Sequence, residues 1–271
     1  MLKTFVVIAV AAVAVPLASI AAPTYFSART DDPNFVVGGN ALTAYNSWSA
    51  VVSNQARENF DSFQTGAPVV QVDGNGDPLT TQTLSGLTFN QGALGTTTAK
   101  VTSPYVESLD LAGATIFDDT GKALTGRWDT TGQGATAEER KHLQTVDTFT
   151  VTFDKSVSAF GVYITDIGDF GGSLEAVLIN GDVESTPVTI FSAQGDNSAL
   201  NGSLTFFGFS DMAGSYTAIR FVQTNQADGI GFDDMRIAVA NSTPLPVPEP
   251  GSLALLGIGL AGLAATRRRK Q

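Results

Sequence analysis

The sequence predicts an all-β protein: an antiparallel sandwich with one amphipathic helix near its start and an apolar segment at each end of the chain. Three observations point there. Short runs rich in Val, Thr and Phe recur from residue 57 to residue 239, with many of the intervening residues polar. Gly and Asn or Asp punctuate most gaps, as at Asn180-Gly181-Asp182, which reads as a tight hairpin turn. The connections are too short to hold crossover helices, so a parallel βαβ architecture fails.

The elements follow in order. Leu42, Tyr45, Trp48, Val51 and Val52 recur at spacings of three and four, which predicts an amphipathic helix over Ala41 to Ser53, a lid on a sheet. Phe60 with Phe63, and Leu87 with Phe89, mark the first strand region, and Val146, Phe149, Val151 and Phe153 mark the next. Further strands are expected at Ala159 to Thr165, Leu174 to Asn180, Val188 to Ser192, Ser203 to Phe209, Thr217 to Gln223 and Phe232 to Val239. About ten such strands suit two packed sheets with a filled interior, and a jelly roll is the expected topology. Glu138 to Gln144 carries a short helical signal, and its His142 is expected to be exposed to solvent. Thr120 to Ala137 and Asp166 to Asp169 read as loops, where a sandwich would carry a site.

Composition narrows the chemistry. There is no cysteine and only one histidine, which excludes thiol and zinc mechanisms and makes a serine triad a poor fit. The net charge of −11 becomes about −15 once Lys3, Glu249 and the terminal cations are removed, a sign that disfavours nucleic acid and anionic membranes as partners. Carboxylates remain the plentiful reactive groups. Asp118-Asp119, Asp166 with Asp169, and Asp233-Asp234 are the acidic clusters, and solvated turns explain them as well as catalysis does. Asp73-Gly74-Asn75-Gly76-Asp77 opens like a calcium loop, but Pro78 and Leu84 replace the glycine and glutamate that such a loop needs, so a β-turn is expected there. Gly257, Gly259 and Gly262 match a dinucleotide fingerprint without the strand that should precede it. Asp169-Phe170-Gly171 likewise matches a kinase triplet without its companions.

The chain ends divide the molecule. Lys3 and the apolar stretch Phe5 to Ala18, followed by Ser19-Ile20-Ala21, read as a signal peptide over 1–21 with cleavage after Ala21. A lead segment is expected over 22–40 and a β-sandwich ectodomain over 41–242, then a linker over 243–251, a transmembrane helix over 252–266 and a basic cytoplasmic tail over 267–271. The uncharged run Ser252 to Ala265 would rise only about 21 Å as a helix against a hydrocarbon core of roughly 30 Å. Arg267, Arg268, Arg269 and Lys270 then act as a basic stop that keeps the C-terminus cytoplasmic and the domain outside.

Pro248-Glu249-Pro250, a short apolar helix and an arginine-rich end, in that order, resemble the PEP-CTERM sorting signal of Gram-negative bacteria. The resemblance implies that Pro248, Glu249 and Pro250 are the recognition residues for an exosortase, a membrane-embedded processing enzyme. The chain would then be its substrate, held briefly in the inner membrane and afterwards displayed at the cell surface or released.

The domain is also similar to β-rich ectodomains found upstream of such tails. The carrying residues are Glu58-Asn59-Phe60-Asp61, Gly86-Leu87-Thr88-Phe89, Val157-Ser158-Ala159-Phe160-Gly161 and Gly231-Phe232-Asp233-Asp234. That resemblance gives a fold without an activity. By analogy with jelly-roll carbohydrate-binding domains, a calcium ion between an early strand and the last one would take Glu58, Asp61, Asp233 and Asp234 as ligands; no other cofactor is implied. The expectation is a non-catalytic exported protein associated with exopolysaccharide. The alternatives are a carbohydrate-binding module and, behind it, a glycoside hydrolase.

Overall fold

The computed structural model describes residues 22–31, 35–106, 111–120, 122–131, 140–168, 170–192, 201–224 and 228–241. The expected signal peptide with its cleavage after Ala21, the sorting motif, the transmembrane helix and the basic tail lie outside the described residues, as does Asp169.

The chain opens with β1 (Thr24–Thr30) and α1 (Gly39–Ser49), then β2 (Val52–Glu58), β3 (Thr81–Asn90), β4 (Thr96–Val106), β5 (Leu111–Ala112) and β6 (Ala114–Asp118). A short α2 (Lys122–Thr125) precedes β7 (Lys141–Thr145), β8 (Phe149–Val157), β9 (Ala159–Thr165) and β10 (Ser173–Asn180). β11 (Val183–Glu184), β12 (Val188–Ser192), β13 (Leu204–Ser210), β14 (Tyr216–Gln223) and β15 (Ile230–Ala240) complete it.

These strands form two antiparallel sheets. The first runs β1-β13-β9-β15-β7-β6, with β2 also on β15; the second runs β11-β10-β14-β8-β4-β3, with β12 on β10 and β5 on β4. From β8 to β10, and again from β13 to β15, the chain changes sheet at each step. Period-2 alternation sends one side-chain set of each strand inward. Phe160, Phe207 and Phe232 of the first sheet thereby meet Phe149 and Phe221 of the second in one core. Phe149 stacks on Phe221 at 5.0 Å between centroids and meets Phe232 edge-on at 4.9 Å. Each such fully buried ring contributes about 1.5–3 kcal/mol of hydrophobic stabilisation.

The outer face of the first sheet is also covered. Ala41, Ala44 and Trp48 of α1 pack there against Tyr163, Leu204 and Phe206, and the Trp48 indole nitrogen donates to the Phe209 carbonyl at 2.9 Å. The sheet is shaped to receive that ring. Gly161 and Gly208 face each other across β9 and β13, and a Cβ at Gly208 would lie 3.0 Å from both Trp48 and the Phe160 carbonyl oxygen. The helix ends four residues earlier than its apolar spacing suggests, because Val52 is taken into β2.

Four segments differ in place or role from the sequence reading. Phe60 and Phe63, expected in a strand, lie in a turn after β2 in which the Phe63 amide donates to the Phe60 carbonyl at 3.0 Å. The expected lead segment, 22–40, supplies strand β1, which pairs with β13 along its whole length. The helical signal at Glu138 to Gln144 gives way to strand β7 from Lys141 onward, and His142, expected in solvent, is 1% exposed. A run of charges imitated a solvated helical turn, yet β7 pairs with both β6 and β15, and that pairing carries its alternate residues under cover. Within the described part of the stretch expected as a loop after Thr120, Trp128, Asp129 and Thr130 are buried. The turn expected at Asp73 to Asp77 is present, closed by Asp73 N–H to the Asp77 carbonyl at 2.8 Å. At the expected hairpin, Gly181 adopts φ 59° between β10 and β11.

Candidate functional site

The acidic residues singled out from the sequence fall into two sets, and a β-bulge separates their fates. In the β15–β9 pairing, Asp233 lies opposite Tyr163 and Arg236 opposite Gly161, so β15 carries one extra residue there. Phe232 and Met235 face the core, which leaves Asp233 and Asp234 together on the outer face. Asp234 takes φ 51° at this bulge. Its carboxylate accepts a hydrogen bond from Arg236 at 2.7 Å, and Arg57 lies 3.6 Å away.

Asp233 is fully buried and holds down a strap of chain, residues 126–131. Thr130 donates both its amide, at 2.7 Å, and its hydroxyl, at 2.9 Å, to Asp233 Oδ2. Burial first, and then the charge and hydrogen bond of Asp129, push the Asp233 carboxyl well above the usual carboxylate range. Asp233 Oδ1 has no hydrogen-bond partner among the described residues, and burial favours the neutral, protonated carboxyl there. The other end of the strap is tied by Arg127, which reaches the Gly229 carbonyl at 2.9 Å and Asp166 at 3.4 Å. Asp166 stands at φ 62°, and its Oδ1 accepts the Gly202 amide at 3.0 Å. Gly126 passes so close to Asp166 and Asn201 that a Cβ there would overlap both.

His142 lies beneath the same strap. Its ring nitrogens have no hydrogen-bond partner among the described residues, and burial, helped by the Arg127 charge, pushes its pKa down to about 4. The imidazole is therefore neutral at physiological pH.

This assembly is poorly built for hydrolysis of a glycosidic bond. Two carboxyls that do so stand roughly 5–10 Å apart with the sugar between them, whereas Asp129 and Asp233 share a hydrogen bond and are 4% and 0% exposed. Asp118 and Asp119 brace a turn. Asp119 pairs with Lys122 at 2.9 Å and Arg140 at 3.4 Å, and Asp118 accepts from the Thr120 amide at 3.0 Å.

The four residues expected around calcium are not brought into one cluster. Glu58 accepts the Phe60 and Thr88 amides, each at 2.9 Å, and so staples β2 to β3. Asp61 accepts from Asn59 at 2.6 Å and from the Lys141 amide at 3.3 Å. Asp233 and Asp234 are engaged as described above. Among the described residues, no three carboxylate or imidazole side chains gather as a metal centre. Sequence reasoning missed Arg127, Asp129 and Thr130. The available signal was Trp128, a large aromatic between opposite charges in a stretch otherwise poor in pattern.

The domain also carries an open concavity. A shallow groove of about 350 Å³ lies between β1 and α1, lined by Tyr25, Phe26, Ser27, Ala28, Asn40, Thr43, Ala44 and Ser47.

Comparison with known proteins bears on the tail more than on the domain. No curated protein matches the chain. Among solved structures it is similar to the K2 cleaved adhesin domain of Lys-gingipain, at 13% identity over 68% of this chain and 98% of that one, with a TM-score of 0.34. Residues 246–270 match the family model described as the PEP-CTERM protein-sorting motif, so the chain carries that sorting motif.

Proposed function

We propose that this protein is an exported, non-catalytic component of the cell surface or extracellular matrix, delivered by exosortase processing of its tail and associated there with exopolysaccharide. The sorting motif at 246–270 carries the reading. Pro248, Glu249 and Pro250 are the recognition residues, the apolar run holds the chain in the inner membrane as an intermediate, and Arg267 to Lys270 mark the cytoplasmic side. The domain's chemistry favours a passive role: the buried Asp233 is covered by residues 126–131 and acts as a fastening for them. The test is the mass of the mature protein in a host that encodes an exosortase. Replacing Pro248, Glu249 and Pro250 with alanine should leave the C-terminal segment attached and the protein in the membrane fraction; unchanged processing would refute the sorting role. A second reading, a carbohydrate-binding module, is favoured by the uncharged groove beside α1.

A further inference from the structure

We propose that the groove between β1 and α1 binds a neutral, hydroxyl-rich oligosaccharide segment. This rests on the association with exopolysaccharide proposed above and gives it a place on the molecule.

The groove is unusual for what it lacks. Its eight lining residues include no charged side chain, in a chain with 26 acidic and 15 basic residues. The eleven residues of α1 contain no charge at all, although the solvent face of a surface helix ordinarily carries charged residues. In their place Asn40, Thr43 and Ser47 recur at intervals of three and four and are exposed, so amide and hydroxyl groups form one polar stripe along the helix. Across from them stands β1, which pairs with β13 alone among the described strands. It contributes the exposed Ser27 and the half-buried Phe26, while Tyr25, also in the lining, stacks on Phe207 of the core. Small polar groups beside aromatic carbon match the alternating hydroxyls and C–H faces of a sugar ring. The absence of fixed charge offers nothing to an acidic glycan or a nucleic acid. The volume sits at the low end of ligand sites, roughly 300–1,000 Å³, and the shallow shape admits a chain passing through more readily than it encloses a small molecule.

The walls are held at a set spacing. Thr30, at the end of β1, accepts the Ala41 amide at 3.0 Å and donates to the Gly38 carbonyl at 3.1 Å, fastening the helix start to the strand. Gly39, at φ 58°, permits that approach, since a Cβ there would lie 2.6 Å from the Thr30 side chain. On the opposite side, Trp48 anchors the helix through Phe209. The recognition surface is thus preorganised, which lowers the ordering cost of binding.

The experiment titrates the purified, processed protein against tetrasaccharides of neutral β-glucan, mannan and galactan, and against an acidic oligouronate, by calorimetry. The variant Asn40→Ala/Thr43→Ala/Ser47→Ala removes the stripe. It spares the fold, because the Thr43 and Ser47 hydroxyls only back-bond to carbonyls one turn earlier. Thr43→Arg blocks and charges the groove without touching the helix anchor. At least one neutral tetrasaccharide should bind, both variants should lose tenfold or more in affinity at an unchanged melting temperature, and the oligouronate should not compete. Neutral-glycan binding that survives both variants would overturn the groove assignment and leave the exopolysaccharide reading standing. Absence of binding to native exopolysaccharide as well as to every tetrasaccharide would overturn both. Self-association of the native chain abolished by Thr43→Arg, without glycan binding, would assign the groove to a second copy and refute the proposal.

Discussion

Replacing His142 with leucine tests the buried cluster most directly. The imidazole is 1% exposed and its nitrogens have no described hydrogen-bond partner, so an apolar side chain of similar size leaves no new polar group stranded. Burial, with the Arg127 charge second, lowers the histidine pKa from 6.5 to about 4. Between those values the unfolded chain binds a proton that the folded chain refuses. The stabilisation is fully present above pH 6.5 and is lost as pH falls to about 4, a difference of about 3 kcal/mol. Asp233 acts in the opposite sense. Its folded pKa is raised, so its contribution is present below 3.8 and is lost as pH rises through the folded value. The wild-type profile therefore sums two opposed slopes, and only its difference from His142→Leu isolates the histidine. Urea unfolding at constant ionic strength from pH 4 to pH 7 should show the variant gaining about 3 kcal/mol on wild type at the acid end relative to neutrality. Parallel profiles would refute the burial argument. Because the chain has a single histidine, its one imidazole resonance supplies a second check, and a titration midpoint near 6.5 would be equally damaging.

Two further predictions follow from the same face of the first sheet. Asp233→Asn keeps an oxygen for Thr130 and offers an amide hydrogen to Asp129, so it should match wild type in acid and become the more stable of the two as pH rises. Asp233→Ala removes both Thr130 bonds and should cost about 1–3 kcal/mol at pH 4; equal losses for the two substitutions in denaturant melts would contradict a neutral Asp233 that fastens Thr130. Gly208→Ala places a methyl group 3.0 Å from Trp48 and from the Phe160 carbonyl. Overpacking of this kind costs about 1–3 kcal/mol, to be read as a lower urea midpoint with reduced protection of the Trp48 indole hydrogen.

Much of the sandwich was legible because strand identity is a local property. β9 and β12 coincide with the expected limits Ala159 to Thr165 and Val188 to Ser192, where β-branched and aromatic residues lie between turn formers. The tail was legible for a similar reason, being a contiguous pattern. What failed was whatever depends on pairing at a distance. His142 stands in a charged run and is buried only because β6 and β15 flank its strand. Asp233 and Asp234 are adjacent in sequence, and period-2 alternation would put them on opposite faces. A bulge set by the register against Tyr163 and Gly161 turns both the same way.

That bulge also explains why an acid-rich domain of this kind offers its carboxylates so little chemistry. Once Asp233 faces outward on a covered sheet, its ionised form must be either paired with a cation or neutralised, since an isolated buried carboxylate is costly. The cations nearby are already committed: Arg236 and Arg57 to Asp234, and Arg127 to Asp166. Protonation of Asp233 is the remaining route, and the neutral carboxyl still fastens residues 126–131 by accepting the two Thr130 hydrogen bonds. Acids in the outer face of the first sheet hold cover over it, whereas the α1–β1 groove is lined by hydroxyl, amide and aromatic groups.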